Sequence, residues 1–128
     1  MTNSNNIVLE INNVAYTGFK AITASKAMDD ICGQFTCDVS ALNDLQRYPI
    51  KQRSDCRLVV NCIPFITGYV EKTSVVYNAG THTIRVMGRD RTCDLIDSTL
   101  GGDINFSAGV SLKDIVNKIL AYLNLSNI

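Results

Sequence analysis

The sequence predicts a mainly β protein, in which antiparallel strands close into a barrel or a sandwich and a helix follows near the C-terminus. Three observations support this fold class. Short stretches of alternating apolar and polar residues recur over residues 7–88, and turn residues separate them. No long helical period interrupts these stretches. A helical spacing of apolar residues appears only after residue 110.

Residues 7–40 predict three strands. The first covers residues 7–11 and ends at Asn12-Asn13, a turn signal because asparagine tolerates the left-handed backbone conformation. The second runs from about residue 14 to residue 27, with an interruption near Gly18. The third has apolar residues on one face, namely Phe35, Cys37 and Val39.

Residues 41–54 form the longest predicted loop, because they contain Pro49 and no sustained period. This region is basic through Arg47, Lys51, Arg53 and Arg57. Two interpretations stay open. The residues form a solvated loop, or they form a basic face toward a partner subunit or toward passing nucleic acid.

The stretch from Thr67 to Asp97 is the most regular part of the chain and predicts a hairpin followed by a helical turn. A loop of about three to five residues, containing Gly80, joins the two strands. In the second strand, His82, Ile84 and Val86 are assigned to the inward face. The strand is expected to end at Gly88, and Thr92 or Asp90 is expected to cap a helical turn over residues 92–97.

A C-terminal helix is predicted from Ser111 to about Leu123, with Ser111 as N-cap and Asp114 three residues later. Its apolar residues form one stripe along the helix. Burial of this stripe would supply on the order of 9–18 kcal/mol of gross transfer free energy. The stripe must therefore pack on the barrel, on a downstream domain or on another chain. Its members are Leu112, Ile115, Val116, Ile119, Leu120 and Leu123.

Composition limits the classes of function. The chain has 128 residues, which suits one ordinary domain, and its 12 basic and 12 acidic residues give a formal net charge of zero. A dedicated nucleic-acid binder needs an excess of Lys and Arg, so this class is disfavoured. Zero net charge favours self-association, because no long-range repulsion opposes it.

The candidate reactive residues all have structural interpretations. The five cysteines are odd in number and lack common zinc-site spacings, so they are predicted to be reduced, mostly buried and free of metal. Asp29 and Asp30 are adjacent and read as turn carboxylates. His82, the one histidine, is expected to be a hydrogen-bonded core or rim residue. These observations predict no catalytic residue, no cofactor and no enzymatic activity.

The GRDR segment at 88–91 has two interpretations. The charges make local salt bridges and cap the helical turn, or Arg89 and Asp90 form an intersubunit ion pair.

Five segments together resemble a known family. The chain, over about residues 7–128, resembles the N-terminal part of the baseplate hub protein of Mu-type contractile phages. The run at 84–99 is the most distinctive, and none of the segments is catalytic. They are YTGF at 16–19, MDDICGQFTCDV at 28–39, ITGYVEK at 66–72, IRVMGRDRTCDLIDST at 84–99 and SLKDIVNKIL at 111–120.

The resemblance implies a tail-tube-like antiparallel β-barrel related to the barrels of type VI secretion spikes. It places a β-barrel hub domain at residues 1–100. Residues 101–128 are then a loop and an amphipathic helix at the start of a second domain, because family hubs continue past this helix. The chain ends at Ile128, so it is expected to be a fragment or a shortened homologue.

The resemblance also implies the partners. Full-length hubs are homotrimers that connect the sixfold tail tube to the threefold spike, and DNA passes through them without sequence-specific binding. The expected location is the virion tail baseplate, assembled in the cytoplasm of a bacterial host. Neither a small-molecule substrate nor membrane insertion is expected. The interface candidates are the six residues of the helical stripe together with Arg47, Lys51, Arg53, Arg89 and Asp90.

Two other functions stay open at this point. Within assembly, the alternative is a tail-tube protein or a tube or spike component of a secretion system. In a different class, it is a small β-barrel nucleic-acid-binding module that uses the basic residues of the long loop. Zero net charge and the absence of interleaved aromatic residues weigh against that module.

Overall fold

The computed structural model describes residues 6–40 and 50–125. The predicted loop residues 41–49, which include Arg47 and Pro49, lie outside the described residues. No helix in the described ranges is both long enough and apolar enough to cross a membrane. The strands are β1 (Ile7–Ile11), β2 (Val14–Tyr16), β3 (Phe19–Ser25), β4 (Gln34–Ser40), β5 (Asp55–Val60), β6 (Ile63–Asn78) and β7 (Thr81–Asp90), and the helices are α1 (Cys93–Asp97) and α2 (Leu112–Tyr122).

The seven strands form one antiparallel sheet in the order β2-β1-β5-β6-β7-β4-β3. The sheet curls into a half-barrel, which confirms the predicted mainly β, barrel-like fold class. Register shifts interrupt the β3–β4, β5–β6 and β6–β7 pairings, and such bulges bend and twist a strand locally. The terminal strands β2 and β3 do not pair with each other, so the sheet keeps two edges in the described part of the chain.

Tight turns join neighbouring strands where the sequence supplies residues that accept positive φ. Asn12-Asn13 has φ of 50° and 66°, and Asn61-Cys62 has φ of 51° and 66°. These angles fit type I′ turns, whose twist matches that of the flanking strands. The turn between β6 and β7 contains only Ala79-Gly80, so the predicted loop of three to five residues was too long. Strand β7 also continues two residues past Gly88, to Asp90.

Inward-facing residues of the curled sheet form the core. The alternation predicted for β4 is confirmed, because Phe35, Cys37 and Val39 are all buried. Leu9 on β1 and Leu58 on β5 lie opposite each other in the strand register and are almost fully buried. The other almost fully buried side chains come from the central hairpin, namely Ile66, Val70 and Val86.

The cysteines mostly serve as small core residues, as predicted, since four of the five are buried. Burial raises the pKa of the thiols of Cys37 and Cys56 to about 12, so both are protonated at neutral pH. Cys62 differs because it lies in the exposed turn between β5 and β6.

Two local predictions need correction. Of the two positions expected for His82, the core is wrong, because His82 is exposed near the tip of the β6–β7 hairpin. The reason is that β5 pairs with β6 only as far as Tyr69, so the far end of the β6–β7 hairpin extends past the strand that would cover it. Thr92 is the N-cap residue of α1, but its side chain makes no cap hydrogen bond. Its Oγ1 donates instead to the carbonyl oxygen of Ile31, at 2.7 Å.

Candidate assembly surfaces

A charged cluster centred on Arg89 joins the end of β7 to β6 and to α1. Arg89 Nη2 lies 2.7 Å from Glu71 Oε1 and 2.7 Å from Asp97 Oδ2. The hydrogen bond from Arg89 lowers the pKa of Asp97, so this carboxyl group is ionised and paired at neutral pH. One guanidinium group therefore connects three secondary-structure elements at this end of the half-barrel.

The same end of the sheet carries three more ion pairs, so the GRDR segment makes the local salt bridges that one interpretation predicted. Arg91 also lies over the ring of Tyr69, with Cζ 5.9 Å from the ring centroid. Both interface candidates of this segment, Arg89 and Asp90, have partners inside the chain. The three pairs are Lys26–Asp90 at 3.3 Å, Arg53–Asp94 at 3.8 Å and Arg91–Asp55 at 3.8 Å.

A cavity of about 240 Å³ lies beside this cluster. Among its charged lining residues, Glu71 and Asp97 both pair with Arg89, and Arg53 pairs with Asp94. Burial raises the pKa of the lining thiol of Cys93, which is therefore not an ionised nucleophile. The lining includes no histidine, and its carboxylates Glu71 and Asp97 are both held in ion pairs with Arg89.

The adjacent carboxylates Asp29 and Asp30 occupy an exposed turn between β3 and β4, as the sequence indicated. Asp30 Oδ1 accepts a hydrogen bond from the backbone N–H of Cys32 at 3.3 Å, which stabilises the turn locally. Among the described residues, no group of three or more His, Cys, Asp or Glu side chains is arranged to hold a metal ion.

The predicted basic face is broken up in the described residues. Lys51 and Arg53 are exposed, whereas Arg57 lies on β5 and pairs with Glu10 on β1, at 2.6 Å. The remaining candidate, Arg47, is outside the described residues. Two of the three described basic candidates therefore have carboxylate partners, since Arg53 also pairs with Asp94.

Helix α2 has the predicted cap. Ser111 Oγ accepts from the backbone N–H of Asp114 at 3.2 Å and donates to Asp114 Oδ2 at 2.6 Å. The helix packs on the segment that precedes it. Lys118 Nζ donates to the carbonyl oxygen of Asn105 at 2.6 Å and lies 5.1 Å from the centroid of the Phe106 ring.

The apolar stripe of α2 is not fully covered. Leu112 and Val116 are 76% and 43% exposed, and the helix has no fully buried residue. No described strand packs extensively against α2. The other four members of the stripe are only partly buried, namely Ile115, Ile119, Leu120 and Leu123.

Two features that sequence reasoning missed concern strand edges and register. Residues 71–78 of β6 pair with β7 on one side and have no described partner strand on the other. Asp38 on β4 makes a two-point ion pair with Arg85 on β7. The sequence places both side chains at outward positions of their strands, but only the β4–β7 register brings them together.

The described residues form a curled antiparallel sheet with strand edges and a helix face that are suited to assembly with other chains. Residues 6–90 match the N-terminal domain of the Mu phage baseplate assembly protein GpP-like family, and the chain belongs to that family. It is therefore a structural component of a phage tail, located in the virion tail. The predicted resemblance to the N-terminal part of the baseplate hub protein is confirmed.

The solved structures that are similar to this chain include two tail proteins. One is the 43 kDa tail protein of prophage MuSo2 from Shewanella oneidensis, with a TM-score of 0.75 and 28% sequence identity over 94% of this chain. The other is a tail protein from Neisseria meningitidis MC58, with a TM-score of 0.76 and 14% identity over 91% of this chain, which shows the shared fold. The chain spans only 38% and 33% of their respective lengths. No curated protein sequence matches it.

Proposed function

We propose that this chain builds a ring in the hub of a contractile tail baseplate, where the tail tube is joined to the spike. The main observation that supports the proposal is that two long strand edges, one on β6 and one on β3, have no described partner strand. Strand β6 pairs with β5 over Ile63–Tyr69, and no described strand pairs with that edge over residues 71–78. Strand β3, with seven residues, has β4 as its one partner among the described strands.

The two open edges flank a four-stranded segment made of β6 residues 71–78, β7, β4 and β3. Every neighbouring pair in this segment is antiparallel, so β3 runs opposite to β6. A rotation about an axis along the strands keeps the strand directions. Strand β3 of one copy therefore lies antiparallel to β6 of the next copy. The same holds at every junction of the ring, because each copy contributes an even number of strands.

The contact between unlike edges is heterologous, and heterologous contacts form closed rings when the rotation closes. An isologous pair of identical edges would end at a dimer. The open edge of β6 also exposes Val75 and Val76, which are 48% and 39% accessible. A long exposed edge with apolar side chains is an association site, so pairing with another strand would cover it.

The rest of the proposal rests on family membership. In the full-length protein we propose a homotrimer that contacts tube and spike proteins, passes DNA through its centre and has no enzymatic activity. Assembly in the cytoplasm of the bacterial host belongs to the same proposal. A tail-tube protein or a secretion-system component would share the ring geometry, but the family match to baseplate assembly proteins favours the hub.

Proline substitutions at the open edge of β6 are expected to abolish the ring without unfolding the chain. Backbone N–H groups alternate in direction along a strand, so either Val75→Pro or Val76→Pro removes an N–H that points away from β7. That variant should fold and remain a monomer. Native mass spectrometry gives the oligomeric state, and circular dichroism identifies which of the two variants is folded.

The matched test is on the opposite edge, where Thr23→Pro and Ala24→Pro sample both N–H directions of β3. The folded member of this pair should lose the ring to the same extent. A folded proline variant on either edge that still forms the ring would contradict strand addition. A wild-type chain that stays monomeric at high concentration would also contradict it.

We also propose that the exposed part of the α2 stripe contacts another subunit or the following domain of the hub. Val116→Asp is expected to weaken this contact, because a buried carboxylate without a partner is costly. Since Val116 is 43% exposed within the chain, the melting temperature of the folded subunit should change little. Asn117→Asp is the control, because Asn117 is exposed on the same helix outside the stripe. Equal oligomeric mass in the two variants would show that the stripe is not an interface between subunits.

A further inference from the structure

The four-stranded segment has a second face, opposite to the core, that assembly at the strand edges leaves uncovered. On β7, Ile84 and Val86 point toward the core, whereas Thr83, Arg85 and Met87 occupy the alternate positions. We call the alternate positions on the four strands the outer face. Its polar and small residues include Ala21, Thr23, Thr36, Ser74 and Thr83.

The charges on the outer face are mostly positive. Lys72 on β6 lies opposite Met87 in the register, and Lys20 Nζ on β3 lies 3.4 Å from Thr83 Oγ1. Arg85 and Arg89 bring the basic residues of the face to four, and its acidic residues are Asp38 and Glu71, which pair with these two arginines. The face therefore has a small positive balance, which suits a polyanion.

Asp38 occupies the two donors that an arginine uses for bidentate binding. Arg85 Nε donates to Asp38 Oδ1 at 2.7 Å, and Arg85 Nη2 donates to Asp38 Oδ2 at 2.9 Å. Arginine binds phosphate through the same fork of two parallel N–H groups. The hydrogen bonds from Arg85 lower the pKa of Asp38, so the carboxylate is ionised and competes with phosphate at neutral pH.

We propose that the outer face lines the channel of the ring and passes duplex DNA, with Asp38 preventing Arg85 from binding the phosphate backbone. The inference rests on the ring of the proposed function and identifies which face meets DNA. The lysines act as strongly hydrated point charges and attract the backbone without a fixed geometry. Arg85 would hold a phosphate longer than the lysines do, but its pairing with Asp38 prevents this contact. The DNA can therefore slide through the channel.

The proposal is tested by freeing Arg85 from its ion pair with Asp38. Asp38→Asn removes the competing charge with little change in shape, and Asp38→Asn/Arg85→Gln removes the released group as well. The control is Glu10→Gln, which frees Arg57 from a similar cross-strand pair, at 2.6 Å, on β1 and β5 outside the four-stranded segment. Binding of a labelled linear duplex is followed by fluorescence anisotropy over a series of salt concentrations. Linear and closed circular DNA of equal length serve as competitors.

Asp38→Asn is expected to tighten binding of linear DNA by roughly three- to tenfold and to steepen the salt dependence by about one phosphate contact. The double variant and Glu10→Gln should behave like the wild type. Because a closed circle cannot thread through an intact ring, it should compete poorly with the linear duplex. The channel assignment is overturned if Asp38→Asn gains no affinity, if Glu10→Gln gains as much, or if the circle competes equally.

Native mass spectrometry of each variant separates this inference from the proposed function. A wild-type chain that forms no ring would refute the proposed function, and the channel assignment with it. A ring that forms normally, while Asp38→Asn binds DNA no better than the wild type, would refute the channel assignment alone.

Discussion

Replacing Gly68 with alanine is expected to unfold the half-barrel. Gly68 lies on β6 opposite Asp90 of β7, at the point where β6 pairs with both of its neighbours. A Cβ atom built there would overlap the carbonyl oxygen of Arg89 and lie 2.8 Å from the carbonyl carbon of Asp90. These are backbone atoms of a central strand, so no side-chain rotation can make room.

The free energy of unfolding is expected to fall by more than about 3 kcal/mol, because a side chain that overlaps backbone atoms is among the most destabilising forms of overpacking. Gly101→Ala is the matched control, since its nearest atom is Tyr122 Oη at 4.0 Å and its Cβ would meet no backbone. The control should stay within about 0.5 kcal/mol of the wild type. Urea denaturation followed by circular dichroism measures both free energies of unfolding. Equal stability of the two variants would show that the β6–β7 pairing at Gly68 is not as close as described.

Phe35→Ala is expected to lower the free energy of unfolding by about 3–5 kcal/mol, because it removes a buried aromatic ring and leaves a cavity. Phe35 is 2% exposed and is among the largest fully buried side chains of the described core. Its ring packs against Gly88 on β7, where a Cβ atom would overlap ring atoms Cε1 and Cζ. The absence of a side chain at Gly88 leaves room for the ring.

Phe106→Ala removes the same atoms from a different place and is the control for this experiment. Phe106 is 39% exposed and contacts Lys118 outside the core. Phe106→Ala should lower the free energy of unfolding by about 1 kcal/mol or less, which is the range of an exposed cation–π contact. Thermal and chemical unfolding of both variants distinguish the two sites. A loss at residue 35 that is no greater than the loss at residue 106 would contradict the assignment of the core.

The strands and turns could be predicted because their signals are local. Alternation in β4 follows from the preference of Phe35, Cys37 and Val39 for the core. The asparagines at positions 12 and 61 accept left-handed backbone angles at little cost. The cap of α2 is also local, since Ser111 and Asp114 are three residues apart. Such features depend on neighbours along the chain, and one sequence is enough to identify them.

The candidate surfaces depend on contacts between residues far apart in the chain. Asp38 meets Arg85, and Arg89 meets Glu71 and Asp97, only because the pairing registers and bulges bring them together. Alternation shows which residues share a face of one strand, but it does not show which strand is the neighbour or where pairing stops.

The sequence by itself therefore determined the β class, the turn positions, the capped C-terminal helix and the family resemblance. Only the tertiary structure decided the strand order, the exposure of His82 and the edge of β6 that no described strand covers. The last two follow from the pairing of β5 with β6, which ends at Tyr69 and leaves the far end of the hairpin without a described neighbour on that side. That boundary is a property of the folded sheet, since β6 itself continues past it to Asn78, through the bulge that follows Val70.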